Sequence, residues 1–176
     1  MTDAHCHVSC GDPSVREFLA GRDFLGIHPW DAERLVDGSD DSIVRLRERL
    51  AADSRLGVGE IGLDRLRSRE ISPVQRAVFE AQLKLAFEFR RSVVLHGAKC
   101  WGRVVEAVRR LTREQSEQSN NRTIPALLFH GFSRSDGLLP DIVRLNGFVS
   151  VGPAVLNDHA VNYRALVKKI PLDRLV

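Results

Sequence analysis

The chain has 176 residues, 43% of them hydrophobic and 28% charged, and a formal net charge of +3. That composition describes one ordinary globular domain spanning residues 1–176 with a sizeable core, and it excludes disordered and collagen-like chains. No apolar run approaches the roughly 20 residues of a membrane helix, and the first residues lack the basic and apolar regions of a secretory signal. A cytoplasmic protein with no membrane partner is the resulting expectation.

Short apolar runs alternate with amphipathic stretches, the pattern of repeated βα units on a parallel sheet. Strands are expected over residues 2–7, 23–28, 56–61, 92–96, 126–130 and 147–151, about six in all, with an unusually short connection before the second. Crossover helices are expected over residues 41–52, 73–90, 103–113 and 160–169. The clearest start is Ser72-Pro73-Val74-Gln75, where Ser at the N-cap, Pro at N1 and Gln at N3 make a capping box. In the helix that follows, Val78, Phe79, Leu83, Ala86 and Phe89 share one face and pack on the sheet. Residues 112–123 are almost wholly polar and read as an exposed loop.

Cys6, Cys10 and Cys100 form no disulfide framework and no metal-binding pair of cysteines. Four of the 26 basic residues are lysines and the rest arginines, but 23 acidic residues nearly balance them. This charge neither requires nor excludes nucleic acid.

Residues of metal-ligand type recur at one place in the pattern, the end of an apolar run just before a glycine or turn. Asp3-Ala4-His5-Cys6-His7 ends the first strand, Gly26-Ile27-His28-Pro29-Trp30 the second, and Gly57-Val58-Gly59-Glu60 the third. His96-Gly97 and His130-Gly131 repeat the arrangement. In a βα barrel this edge is the catalytic face, so five segments deliver side chains to one pocket. The two-residue period of a strand puts His5 and His7 on one face, with Asp3 one step earlier and Cys6 on the opposite, core-facing side. The imidazoles of His5, His7, His96 and His130 with the Glu60 carboxylate suit Zn²⁺, Mn²⁺ or Co²⁺ better than Mg²⁺, and a carboxylate can bridge two ions. Metal-assisted hydrolysis is the natural chemistry; no GxSxG elbow offers a serine nucleophile.

Together these motifs resemble the TatD family of metal-dependent hydrolases. The resemblance rests on DAHCH (3–7), GIHPWDA (26–32), GEIGLD (59–64), QRAVFEAQLKLA (75–86), VVLHG (93–97), FHGFSRS (129–135), GFVSVGPAV (147–155) and PLDRLV (171–176). It implies an α/β fold, a TIM-type (β/α) barrel, with two divalent ions, and a phosphodiesterase, most often a deoxyribonuclease that trims DNA from its 3′ end. By the same resemblance His5 and His7 bind the first ion, Glu60 bridges both, and His96 with His130 binds the second. Glu60 and His28 are then the catalytic residues, with His28 on the substrate phosphate. Asp64 holds a ligand histidine or the substrate, or else is a turn or helix-start carboxylate, and Lys99 and Arg134 neutralise phosphate oxygens or are solvated surface. Trp30 and Trp101 flank the expected mouth, where an aromatic packs a loop more often than it stacks a base. His159 reads as surface.

Two departures from the family pattern stand out. Many members place a whole strand and helix between the HxH strand and the GIHP strand, whereas residues 8–22 alone separate them here. The family's last ligand, an aspartate on a strand soon after PLDRL, has no counterpart up to Val176. An incomplete or opened barrel, or a fragment of a longer parent, is therefore expected rather than a closed ring of eight strands. Two other readings stay open: hydrolysis of amides, esters or lactones on the same barrel, though those relatives bridge their metals with a modified lysine, and a metal-binding remnant without turnover.

Overall fold

The computed structural model describes residues 2–35, 41–118, 123–133 and 135–176, without the side chains of residues 2, 3 and 118. Arg134 lies outside the described residues. Among the described residues seven strands are formed: β1 (Thr2–Cys6), β2 (Arg16–Leu19), β3 (Phe24–Leu25), β4 (Gly57–Asp64), β5 (Val93–Ala98), β6 (Leu127–Phe129) and β7 (Gly147–Val149). The α-helices among the described residues are α1 (Ser42–Ala52), α2 (Pro73–Glu88), α3 (Trp101–Gln118), α4 (Leu139–Arg144) and α5 (Val161–Val167).

Every strand pairing is parallel. β3 to β7 form one sheet in chain order, and β1 pairs with β2 in a second. Neighbours in strict sequence order, joined mainly by helical crossovers, are the winding of a TIM-type barrel, not of a doubly wound sheet whose order reverses. A single parallel bridge, Ala20 to Phe24, connects the β2 end to β3. At the far edge Leu175 bridges Val149, and the Val176 N–H donates to the Val149 carbonyl. Among the described residues the paired strands form no closed ring, as expected.

Every residue of β4 is buried. A strand covered on both faces reads as a near-continuous apolar run, so the two carboxylates it carries stand out physically as well as in sequence. Around it packs one core, with Val58, Ile61, Phe79, Leu83, Val93, Leu95, Val104, Val108, Leu127 and Phe129 among its buried members. β4 runs on to Asp64, beyond the expected end, while β3 has two residues where six were expected.

The Ser72 hydroxyl accepts the Gln75 N–H at 3.0 Å and caps α2, a contact worth about 1 kcal/mol. The reciprocal half of the expected capping box is replaced, because Gln75 Oε1 instead accepts the Asp64 N–H at 2.8 Å. Gln82, fully buried on the same helix, takes the Ile27 N–H at 2.6 Å and returns an N–H to the Ile27 carbonyl at 3.1 Å. Its amide serves Ile27 as a neighbouring strand would, just beyond the short β3.

Three features depart from the sequence expectation. The polar segment from Thr112 continues α3 to Gln118, where Thr112 and Ser116 hydroxyls bond back to the carbonyls of Val108 and Thr112. Arg110 pairs with Glu114 at 3.6 Å and Arg113 with Glu117 at 4.0 Å, the spacing that supports the last turns of α3 where its apolar stripe has ended. β2, unforeseen, fills part of the short connection after β1. Cys6 is half-buried rather than core, with its thiol donating to the Phe18 carbonyl at 3.6 Å. No helix among the described residues is long and apolar enough to cross a membrane.

Candidate metal centre

The chemistry-bearing residues gather along or just beyond the C-terminal ends of five strands. β1 carries His5, with His7 directly after it, β3 leads into His28, β4 carries Glu60 and Asp64, β5 carries His96, and His130 follows β6. Ligand atoms of His5, His7, Glu60 and His130 all lie within 4.8 Å of one another, and so do those of His28, Glu60 and His96. Glu60 belongs to both groups.

Its two oxygens face different partners. Oε2 lies 3.7 Å from His5 Nε2 and 3.6 Å from His7 Nε2, while Oε1 lies 2.9 Å from His96 Nδ1. Two donors bound about 2.1 Å from one tetrahedral ion stand roughly 3.4 Å apart, so the Oε2 side has the spacing of a ligand set. The His5 and His130 rings stand edge to face at 5.0 Å, and those of His5 and His7 at 5.1 Å. His5 is buried and His7 exposed, so this group spans the floor and the mouth of the site.

Register explains the other side. His96 pairs with Gly62, midway between Glu60 and Asp64 on β4. The ring spans the gap, with Nδ1 on Glu60 and Nε2 2.8 Å from Asp64 Oδ2. The β4–β5 register shifts between Val58 and Ile61, which sets Glu60 beside an irregularity of the kind that re-aims side chains at sites. Asp64 also accepts the Trp30 indole N–H at 2.8 Å and the Leu66 N–H at 2.5 Å.

The electrostatics follow these contacts. Burial alone raises the Glu60 carboxyl, yet the adjacent His5, the hydrogen bond to His96 and the charges of His130 and His96 hold it well below the ordinary carboxylate range. Burial likewise works against Asp64, and His96, the Leu66 N–H and Trp30 outweigh it and lower its pKa. His96 goes the other way: burial disfavours its charge, but the flanking carboxylates of Glu60 and Asp64 raise it. Burial, with the His96 charge beside it, lowers His28. His130 is lowered by burial against the pull of Glu60, with His5, His7 and His96 adding to the fall.

Second contacts fix the proton position on His28 and bear on that of His130. The Trp30 backbone N–H donates to His28 Nδ1 at 3.2 Å, so neutral His28 carries its proton on Nε2 and presents a donor there. His130 Nδ1 lies 3.1 Å from the Ser150 hydroxyl oxygen, which also accepts the Gly131 N–H at 3.1 Å. A ring that gives Nδ1–H to such a partner leaves Nε2 free for a cation.

The structure therefore brings His5, His7, His28, Glu60, Asp64, His96 and His130 together. It groups His130 with His5 and His7, and His28 with His96. Lys99 is exposed in the turn from β5 into α3, with φ at 57°. Trp101 is buried against Phe129 and Phe132 and does not flank the mouth, whereas Trp30 is 44% exposed. His159 is exposed. Sequence reasoning missed Ser150, Gln75 and Gln82; for the glutamines the available signal was a polar residue on the buried face of α2.

The sequence profile of the TatD related DNase family matches residues 19–176. An uncharacterised metal-dependent hydrolase of Bacillus subtilis (strain 168), YabD, is 26% identical over 152 residues, 86% of this chain and 55% of that protein. A 3′-5′ ssDNA/RNA exonuclease TatD of Edwardsiella piscicida is 29% identical over 153 residues, 86% of this chain and 54% of that protein. In structure, the TatD homologue YjjV of Escherichia coli K12 superposes with a TM-score of 0.69 at 25% identity, over 91% of this chain and 56% of that one. The chain thus spans about half the length of the relatives it matches.

Proposed function

Because the chain belongs to the TatD related DNase family, and Glu60 turns one oxygen to each of two histidine groups, we propose that it is a metal-dependent phosphodiesterase acting on single-stranded nucleic acid from the 3′ end. The observation that carries this reading is the shared Glu60. His5, His7, His130 and Glu60 Oε2 would hold one divalent ion, and Glu60 Oε1 with His96 Nδ1 a second. The mixed imidazole and carboxylate set suits Zn²⁺, Mn²⁺ or Co²⁺. Bound there, such a pair supplies an acidified water and Lewis-acid polarisation of a phosphoryl oxygen.

The protein's own groups have distinct tasks. Glu60 stays ionised despite burial and so remains a ligand at neutral pH. Asp64 orients His96 through Nε2, leaving Nδ1 toward Glu60. His28 offers its Nε2–H to a phosphate oxygen, a role the Trp30 N–H on Nδ1 favours over ligation. Lys99 and Arg134 are assigned to phosphate charge on residue type and chain position alone.

The test is cleavage of a 5′-labelled single-stranded oligodeoxynucleotide with Mn²⁺ or Mg²⁺ supplied. Progressive shortening is expected, lost in Glu60→Gln and His130→Ala variants that keep their circular dichroism. Hydrolysis of an ester panel with no action on nucleic acid would overturn the proposal in favour of a carboxylester or amide substrate. One ion bound per chain without turnover would leave the chain a metal-binding protein.

A further inference from the structure

Trp30 is 44% exposed at the rim of the site, yet its ring is held on several sides. The indole N–H is bonded to Asp64, the Arg67 guanidinium lies 3.8 Å from the ring centroid, and the His28 ring meets it edge to face at 4.8 Å. Arg67 stands in a loop after β4 that also exposes Arg65 and Arg69. An aromatic fixed in orientation before a ligand arrives loses little freedom on binding.

We infer that Trp30 and Arg67 form a stacking step for the terminal base of a single strand, with the arginines of residues 65–69 following its phosphates. This assignment rests on the nucleic-acid reading above. A base stacked on an indole is worth more than a guanidinium over the same ring at an exposed site, so the arriving base displaces Arg67 from the ring toward the backbone charge. Every base has a π-face, so the step selects nucleotides over other phosphodiesters without selecting a sequence. The indole also ties the step to the centre, since the atom that fixes the ring, Asp64 Oδ2, is the one that holds His96 Nε2. Trp30 is thereby a binding residue on its face and a positioning residue through its edge.

The experiment measures binding without turnover, in EDTA, of fluorescein-labelled pentadeoxythymidylate and of an abasic tetrahydrofuran oligomer of equal length and charge. Wild-type chain is expected to prefer the base-bearing oligomer by about fivefold or more. Trp101 is only 5% exposed in the core, so quenching of tryptophan emission by the unlabelled thymidylate reports Trp30. Trp30→Ala is expected to bring the preference close to one. Trp30→Phe should keep most of it, because the ring remains, while lowering kcat through the lost bond to Asp64. Arg67→Ala should flatten the salt dependence and, with the ring face already open, leave the preference for the base-bearing oligomer at least as large as in wild type. A Trp30→Ala chain that retains the wild-type preference overturns the stacking step. If wild-type chain cleaves DNA but binds both oligomers equally, the step fails and the phosphodiesterase reading stands. Wild-type chain that neither binds nor cleaves nucleic acid removes both.

Discussion

Gly62 lies in register with His96 across β4 and β5, and a Cβ at position 62 would stand 2.0 Å from the His96 carbonyl oxygen. The strands approach this closely at the point where His96 must reach both Glu60 and Asp64. With φ at 153°, the residue also holds a backbone conformation that side chains rarely adopt. Gly62→Ala is expected to cost about 3 kcal/mol through overpacking and backbone strain. Urea unfolding checks this, and metal titration of the surviving folded fraction should show weakened binding because His96 is pushed off its partners.

Asp64 takes three donors, from His96, Trp30 and the Leu66 N–H. Asp64→Asn keeps the shape and removes the charge, so the ring of His96 loses its charged anchor at Nε2. Outer partners of ligand histidines typically matter by 10–100-fold in metal affinity. A loss of about tenfold or more in Co²⁺ affinity is expected, read from the visible absorption of the bound ion, with secondary structure intact by circular dichroism. Unchanged affinity would show that Glu60 alone sets the His96 ring.

The HxH pair and the strand-end His96 and His130 were legible because each closes an apolar run, and a period of two leaves little freedom in where such a residue faces. Asp64 was legible as a residue of the motif, but its contact with His96 depends on the β4–β5 register, which one strand's sequence does not contain. β2 was hidden because Arg16–Leu19 is short and has neither a clean alternation nor a helix before it. The end of α3 was hidden for the opposite reason: its stability comes from ion pairs and hydroxyl back-bonds instead of an apolar stripe. Trp101 follows β5 closely enough to read as a rim residue, but it packs directly over Gly97, where a Cβ would stand 2.2 Å from the indole, and so turns inward.

Gln82 meets both backbone groups of Ile27, one residue before His28. Gln82→Leu is nearly isosteric and leaves the N–H and carbonyl of the half-buried Ile27 without their amide partner, at up to about 1–3 kcal/mol for each group left unmade. A net destabilisation of about 2–4 kcal/mol is expected by urea unfolding. Faster amide hydrogen exchange should appear at residues 26–28 before the rest of the sheet. Uniform exchange across the chain would mean that the contact stabilises the fold without placing His28.

The three cysteines should differ sharply in reactivity. Cys100 is buried, its thiol 3.1 Å from the Leu63 carbonyl, and burial with the Asp64 charge nearby pushes it up to about 11. The thiolate is the reactive form, so at pH 8 Cys100 stays protonated and shielded. Cys10 is exposed and Cys6 half-buried. Iodoacetamide followed by peptide mass spectrometry is expected to label Cys10 first and Cys100 only after unfolding. Early labelling of Cys100 in native chain would contradict the packing of β5 into α3.

Ser150 sits just past β7, where its hydroxyl oxygen accepts the Gly131 N–H and faces His130 Nδ1. With the oxygen in place, a proton on Nδ1 has an acceptor and Nε2 is left as the lone-pair nitrogen that a cation needs. Ser150→Ala removes that acceptor, so the population with the proton on Nε2 should grow. Long-range ¹H–¹⁵N spectra of the histidine rings read this directly, since protonated and bare ring nitrogens differ widely in shift. Metal affinity on the His5, His7 and His130 side should fall about tenfold, and the loss in folding stability should stay near 1 kcal/mol because one hydrogen bond is at stake. Ser150→Thr, which restores the hydroxyl, should recover the wild-type tautomer. A purely structural role for Ser150 predicts the reverse pattern: lower stability in the alanine variant, with ring nitrogen shifts and metal affinity unmoved.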